Sequence, residues 1–226
     1  MEYHCPPQSF SDNFVVECWE WDVNAKSPAV QLSPCRRAVY FHIDPVLQSE
    51  GTAGVRGTKG FIHGEHYWEV KFLEPPYGTS VMVGAGTRHA HLHLGNYTFI
   101  NMLGMDSESW GLSHKGITWH DGHSRQYTEP FYEKATIIGV DLNLYDGTMT
   151  FYKNGCNLGV AFTGLNKNMM SMLHQGHTAS ISVYVLARDE SGNSRTQECK
   201  SSKHTKSSSK RSFYIHTIDE MSNRPI

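Results

Sequence analysis

The sequence predicts an all-β protein built as an antiparallel β-sandwich, and three observations predict it. First, Thr136–Leu165 (TIIGVDLNLYDGTMTFYKNGCNLGVAFTGL) places two turn dipeptides, Asp146-Gly147 and Asn154-Gly155, between runs of strand formers. A type I′ turn needs positive φ at both central residues, which Asn, Asp and Gly tolerate, and its twist matches that of paired strands. Second, many other short runs are rich in β-branched and aromatic residues and are separated by Gly- and Pro-bearing stretches. Third, no segment sustains a 3.6-residue apolar stripe.

Taken in order, residues 1–13 are polar and proline-bearing and read as a flexible leader. From Phe14 the chain turns strand-like: FVVECWEW, then AVYFHI (Ala38–Ile43), HYWEVKF (His66–Phe72) and SVMVGAG (Ser80–Gly86). Alternation in His66–Phe72 sets Trp68, Val70 and Phe72 on one face and Glu69 and Lys71 on the other. The opening stretch then reads as a three-stranded meander: Ile137–Leu142, Thr148–Lys153 and Leu158–Phe162. In its middle strand Met149 and Phe151 share one face, with Thr148, Thr150 and Tyr152 on the other. Beyond Leu165 the character changes. Residues 166–187 are methionine-rich without a clear period, and within them Ile181–Ala187 has the make-up of one strand. Residues 188–226 form a low-complexity Ser/Lys-rich tail, and within it Arg188–Ser212 offers too little apolar surface to offset the entropy of ordering, which predicts disorder.

Bulk composition narrows the function classes. The chain has 226 residues, and about 150 suffice for a sandwich core that buries roughly two-thirds of the unfolded surface. A net charge of −2 gives no global pull towards nucleic acid or an anionic membrane. The five cysteines show no zinc-ligand spacing, and their odd number does not complete a disulfide framework. There is no secretory signal at the N-terminus and no run as long as a membrane helix. A reduced, monomeric protein of the cytoplasm and/or nucleus is the expectation.

Several stretches taken together resemble a known family. RGTKGFIHGEHYWEV (Arg56–Val70) and VMVGAGT (Val81–Thr87) are similar to the first half of a SPRY (B30.2-like) domain. SESWGLSHKG (Ser107–Gly116) and DGTMTFYKNG (Asp146–Gly155) look like its second half. WEWD (Trp19–Asp22), PPYGTSVMVG (Pro75–Gly84), IIGV and LGVAFTGL point to the SPRY domain-containing SOCS box family. The resemblance covers residues 14–165. It implies a bent two-sheet sandwich that makes no covalent chemistry and holds a short peptide of a target protein. It also implies a C-terminal SOCS box that recruits elongin B/C and a cullin, making the protein the substrate receptor of a ubiquitin ligase. Residues 166–226 depart from that pattern. They lack the Tyr-Pro strand and the short closing strand expected after VAFTGL, and the leucine- and cysteine-bearing helix of a SOCS box. The expectation is therefore a sandwich lacking its last strands, with its ligase coupling put in question.

The resemblance also implies the binding residues. PVLQS (Pro45–Ser49) aligns with the family's N-terminal binding loop and keeps Pro45. It sets Ile43 where relatives carry an arginine and Leu47 where they carry an alanine, and exchanging a charged anchor changes which peptide is held. The tyrosine of the central long loop falls at Tyr97. The implied partner-peptide site is Pro45, Leu47, Gln48, Tyr97, Thr98, Phe99 and Asn101. The plainer reading of Tyr97 and Phe99 is packing at the base of the loop.

Other residues favour structural roles. Trp110 reads as core more than as a groove wall, and Trp68 as core outright. Tyr127 and Tyr132 around Pro130 fit packing and contact equally. His89, His91 and His93 alternate, but no HExxH or carboxylate companion accompanies them, so they read as solvated loop residues, as do His114, His120 and His123. The carboxylates, among them Glu65, Asp141 and Asp146, form no paired catalytic pattern. Gly84-Ala-Gly86 lacks the helix and third glycine of a nucleotide loop, so neither a cofactor nor a catalytic residue is expected. The lysines from Lys200 to Lys210 read as a solvated basic tail. Two further functions stay open: a SPRY scaffold or decoy without ligase coupling, and a lectin-like carbohydrate binder.

Overall fold

Strict alternation of apolar and polar residues turns into two packed sheets in the computed structural model, which describes residues 19–42, 52–76, 80–94, 100–165, 181–188 and 212–218. The first sheet runs β1 (Trp21–Lys26), β4 (Thr52–Gly57), β14 (Ile181–Arg188), β6 (Ser80–Thr87), β8 (Ser109–Ser113), β9 (Ile117–His120), β10 (His123–Gln126). The short β7 (His93–Leu94) pairs with β4 beside this path. The second sheet runs β13 (Cys156–Thr163), β12 (Thr148–Lys153), β11 (Ile137–Asn143), β5 (Glu65–Phe72), β15 (Ser212–Ile218), β3 (Ala38–His42), β2 (Val30–Leu32). Every recorded pairing is antiparallel.

Burying the inward face of each strand is what holds the two sheets together. Trp68, Val70 and Phe72 of β5, Ile138, Val140 and Leu142 of β11, and Met149 and Phe151 of β12 meet Val55, Val81, Val83, Trp110 and Leu112 of the first sheet in one core. The predicted faces of β5 and β12 are those observed, and Trp68 and Trp110 are both core. The Asn154-Gly155 turn is also as expected, with φ of 51° and 82° between the paired Lys153 and Cys156. The Asp146 turn differs. Asn143 pairs with Thr148, so the connection has four residues, not two. The Asn143 amide oxygen accepts from the backbone N–H groups of Tyr145 and Asp146 at 3.0 Å, which rounds the corner before Asp146 is reached.

The largest difference concerns the closing strands. The sandwich does not lack them: β14 lies between β4 and β6, and β15 lies between β5 and β3. The first falls on the predicted Ile181–Ala187 strand. The second, SFYIHTI, lies within the 188–226 tail, which is not expected to hold a strand, and begins where the composition that predicts disorder ends. A Ser/Lys-rich average over 188–226 hides seven residues that alternate well enough to pair on both edges.

Candidate functional site

Of the residues implied for peptide binding, Pro45, Leu47, Gln48, Tyr97, Thr98 and Phe99 lie outside the described residues, and Asn101 lies within them. Their flanks are described, and the flanks converge. Segment 43–51 runs from the end of β3 in one sheet to Thr52, the first residue of β4 in the other. Segment 95–99 runs from Leu94, the last residue of β7, to Ile100. Thr52 pairs with Leu94 in the sheet register. Its hydroxyl also donates to the Ile100 carbonyl at 2.9 Å and accepts from the Ile100 N–H at 3.3 Å. One buried threonine thus ties the end of the first segment to both ends of the second. Leu92 strengthens the tie by accepting from the Gly54 N–H at 2.9 Å, and Ser27 and His93 are joined Oγ to Nδ1 at 2.9 Å.

Beneath this knot lies a second apolar cluster. Met82, Ala90, Met102 and Leu103 are buried, with Leu92, Leu94, Ile100 and Trp119 packed against them. The chain crosses directly over β9 here. Gly104 has φ of 78°, and a Cβ at this position would overlap the backbone of Trp119, so only glycine permits the approach. Asn101 sits at the rim of this cluster. Its side-chain oxygen is buried and has no hydrogen-bond partner among the described residues. The root of the two segments therefore combines a buried apolar cluster, a Thr52 hydroxyl engaged on both sides by Ile100, and a buried Asn101 oxygen.

The histidines divide. His89, His91 and His93 are exposed, but only His89 and His91 lie outside strands, since His93 opens β7 and is joined to Ser27; no group of three His, Cys, Asp or Glu among the described residues could hold a metal. His114 departs from the solvated reading. It is buried, its Nδ1 accepts from the Val81 N–H at 3.0 Å, and desolvation lowers its pKa to about 4. His120 stacks on Trp110 with ring centroids 4.6 Å apart, and its Nδ1 lies 2.8 Å from the Ser109 carbonyl oxygen. Strand alternation carries the signal for His114, which falls two residues after Leu112 and four after Trp110 in WGLSH; His120 shares its face with Thr118, and its partner Trp110 lies opposite it on the neighbouring strand. Tyr127 and Tyr132 also separate. The Tyr127 hydroxyl donates to the Gly159 carbonyl and accepts from the Phe151 N–H, and burial raises its pKa to about 12. Tyr132 is exposed. On the outer face of the second sheet, burial and then the nearby Glu65 carboxylate raise Asp141 to about 6.

The model of the SPRY domain family matches residues 65–181, more than half of the chain. The chain belongs to the SPRY domain family. Its SPRY domain is similar to that of SPRY domain-containing SOCS box protein 3 from Xenopus laevis, 41% identical over 168 residues covering 74% of this chain and 46% of the relative. The protein of the same name from Xenopus tropicalis is 43% identical over 156 residues, 69% of this chain and 42% of the relative. The chain thus spans less than half the length of these curated relatives. F-box/SPRY domain-containing protein 1 of Drosophila simulans is 34% identical over 183 residues, covering 72% of this chain and 69% of the relative. Among solved structures the SPRY domain of human HERC1 superposes with a TM-score of 0.59 over 90% of this chain and 99% of that one. At 15% identity it speaks for the SPRY fold alone.

Proposed function

We propose that this SPRY domain is a protein-binding module that holds a short peptide of a target protein between segments 43–51 and 95–101, with Pro45, Leu47, Gln48, Tyr97, Thr98, Phe99 and Asn101 as contacts. The observation that carries the reading is the Thr52 tie, because it roots both segments at one point of the first sheet. Two chain segments anchored together form one surface; anchored apart they would form none.

The kinship with SOCS box proteins supports a coarser role as an adaptor and a finer one as substrate receptor of an elongin–cullin–RING ubiquitin ligase. In that role the domain works by raising the local concentration of its target near a charged ubiquitin carrier, and it performs no catalysis itself. The place of action is then the cytoplasm and/or nucleus.

The test is affinity isolation of the full chain and of Tyr97→Ala from cell lysate, scored by mass spectrometry for bound targets, elongin B/C and a cullin, with the melting temperature of each variant measured alongside. The expected result is loss of the targets at least tenfold at an unchanged melting temperature. An unfolded Tyr97→Ala protein would place that residue in the core and sink the site. Targets without elongins would leave the module standing as a scaffold and remove the ligase role.

A further inference from the structure

The second sheet is continuous only because of β15. It pairs with β3 from Ser212↔His42 to His216↔Ala38, and with β5 from Ile215↔Phe72 to Ile218↔Glu69. No pairing joins β3 to β5 among the described residues. The β2–β3 hairpin is therefore joined to the rest of its sheet by a strand drawn from the C-terminal segment. That strand lies beyond the family match, which ends at residue 181.

The opening it fills has the properties of a receptor for an extended strand. Both of its walls present backbone groups to whatever lies between them, so an occupant is hydrogen-bonded along both edges, as in recognition by strand addition. On the core side the walls carry Val39 and Phe41 from β3 and Val70 and Phe72 from β5, all buried. The register sets Phe213 against Phe41, Ile215 against Val39 and Phe72, and Thr217 against Val70. A strand of period two with apolar or β-branched residues at alternate positions is what these walls select. SFYIHTI meets that requirement, whereas the Ser/Lys-rich residues before it do not.

The occupant reaches its place through residues 189–211, which when extended span on the order of 70 Å. Such a length makes closure within one chain undemanding.

We propose that the opening between β3 and β5 is a strand-binding site, filled by the chain's own Ser212–Ile218 as a tethered ligand and open to exchange with a free strand of the same alternation. The tether holds its strand at an effective concentration of roughly millimolar, so a free competitor enters only when the tether is cut or the resident strand is weakened. This inference does not depend on the peptide site proposed above. It does have a bearing on it, since Ser212 pairs with His42, the residue from which segment 43–51 departs.

The experiment uses the full chain with a protease site placed within residues 189–211. The probe is a fluorescein-labelled synthetic peptide of residues 210–220, followed by anisotropy. The expected result is that the uncut protein excludes the peptide, while the cut protein keeps its own fragment on gel filtration and exchanges it saturably, with at least 10²-fold tighter apparent binding. A peptide carrying Ile215→Pro, which loses a backbone donor, should fail to compete. Equal binding to cut and uncut protein, or none to either, would overturn the proposal, as would a strand-swapped dimer of the uncut chain. Should cleavage cause precipitation, amide exchange on the uncut Ile215→Pro chain decides. Loss of protection at Ala38–His42 with retention at Ser109–Ser113 supports the site, and unchanged protection at Ala38–His42 refutes it.

Discussion

From β11 to β13 the second sheet is written in one stretch of chain, each strand returning on the last through a turn of four or two residues. From β15 to β2 the same sheet gathers strands that begin at Ser212, Ala38 and Val30. Both halves bury a full apolar face: Ile138, Val140, Met149 and Phe151 on one side, Val30, Val39 and Phe41 on the other. They differ in what must be closed before that burial is gained. The meander closes short loops, at little entropic cost, and can form early. The β15–β3 pairing closes most of the chain and is rewarded last. Similar packing can therefore coexist with different local stability.

The largest expected effect sharpens this comparison. Phe151→Ala, in the centre of the meander, should lower global stability by about 3–5 kcal/mol in urea denaturation. Phe41→Ala on β3 should cost less than about 3 kcal/mol globally, because its half can open without unfolding the rest. Equal costs would erase the distinction between the halves.

A middling effect belongs to the tight turn. Asn154 has φ of 51°, and its side-chain oxygen accepts from the Ile137 N–H at 2.9 Å. Asn154→Ala loses both features and should cost about 1–2 kcal/mol in thermal denaturation. Asn154→Gly should cost less, since it keeps the backbone freedom and loses only the hydrogen bond. If the two variants match, the bond and not the φ angle sets the turn's stability.

The smallest effect is a pH dependence with two opposed parts. Asp141 is raised to about 6 in the fold, so between pH 4 and 6 the folded state holds more proton than the unfolded one, and stability falls as pH rises. His114 is lowered to about 4, so its contribution is present above pH 6.5 and lost as pH falls towards 4. The two slopes oppose, and the wild-type curve should be shallow from pH 4 to 6. Asp141→Asn should add about 1 kcal/mol at pH 7, a figure kept small because the carboxylate is partly solvated. It should also expose the rising His114 slope across pH 4–6.5, read from denaturation midpoints against pH. A variant with an unchanged curve would mean that Asp141 ionises as freely in the fold as out of it.

The same contrast decides what could be read from the sequence. The meander was legible because turn and alternation lie side by side: Asn154-Gly155 fixes the register that Met149 and Phe151 need. The four-residue connection before it is not legible in the same way, because Asn143 rounds the corner through side-chain bonds that no dipeptide signals. β15 was hidden because its partners, β3 and β5, lie far upstream and its neighbours in sequence are Ser and Lys. His114 reads as a loop residue in the sequence because its partner, the Val81 N–H, lies on another strand. At the candidate site, the resemblance named Asn101 but not Thr52, the residue that ties the segments together. A threonine opening a strand carries no local mark of a cross-chain clamp.

That clamp has one more consequence. Thr52 holds Ile100 through its own hydroxyl and through the main-chain atoms of Ile100, and it meets Leu94 through strand register, so the posts of the site do not depend on the side chains strung between them. Substitutions within 43–51 or 95–99 are expected to leave the Thr52, Leu94 and Ile100 contacts in place. Under the proposed function, new specificity would therefore require only new residues between fixed ends, without refolding of the sheet that holds those ends.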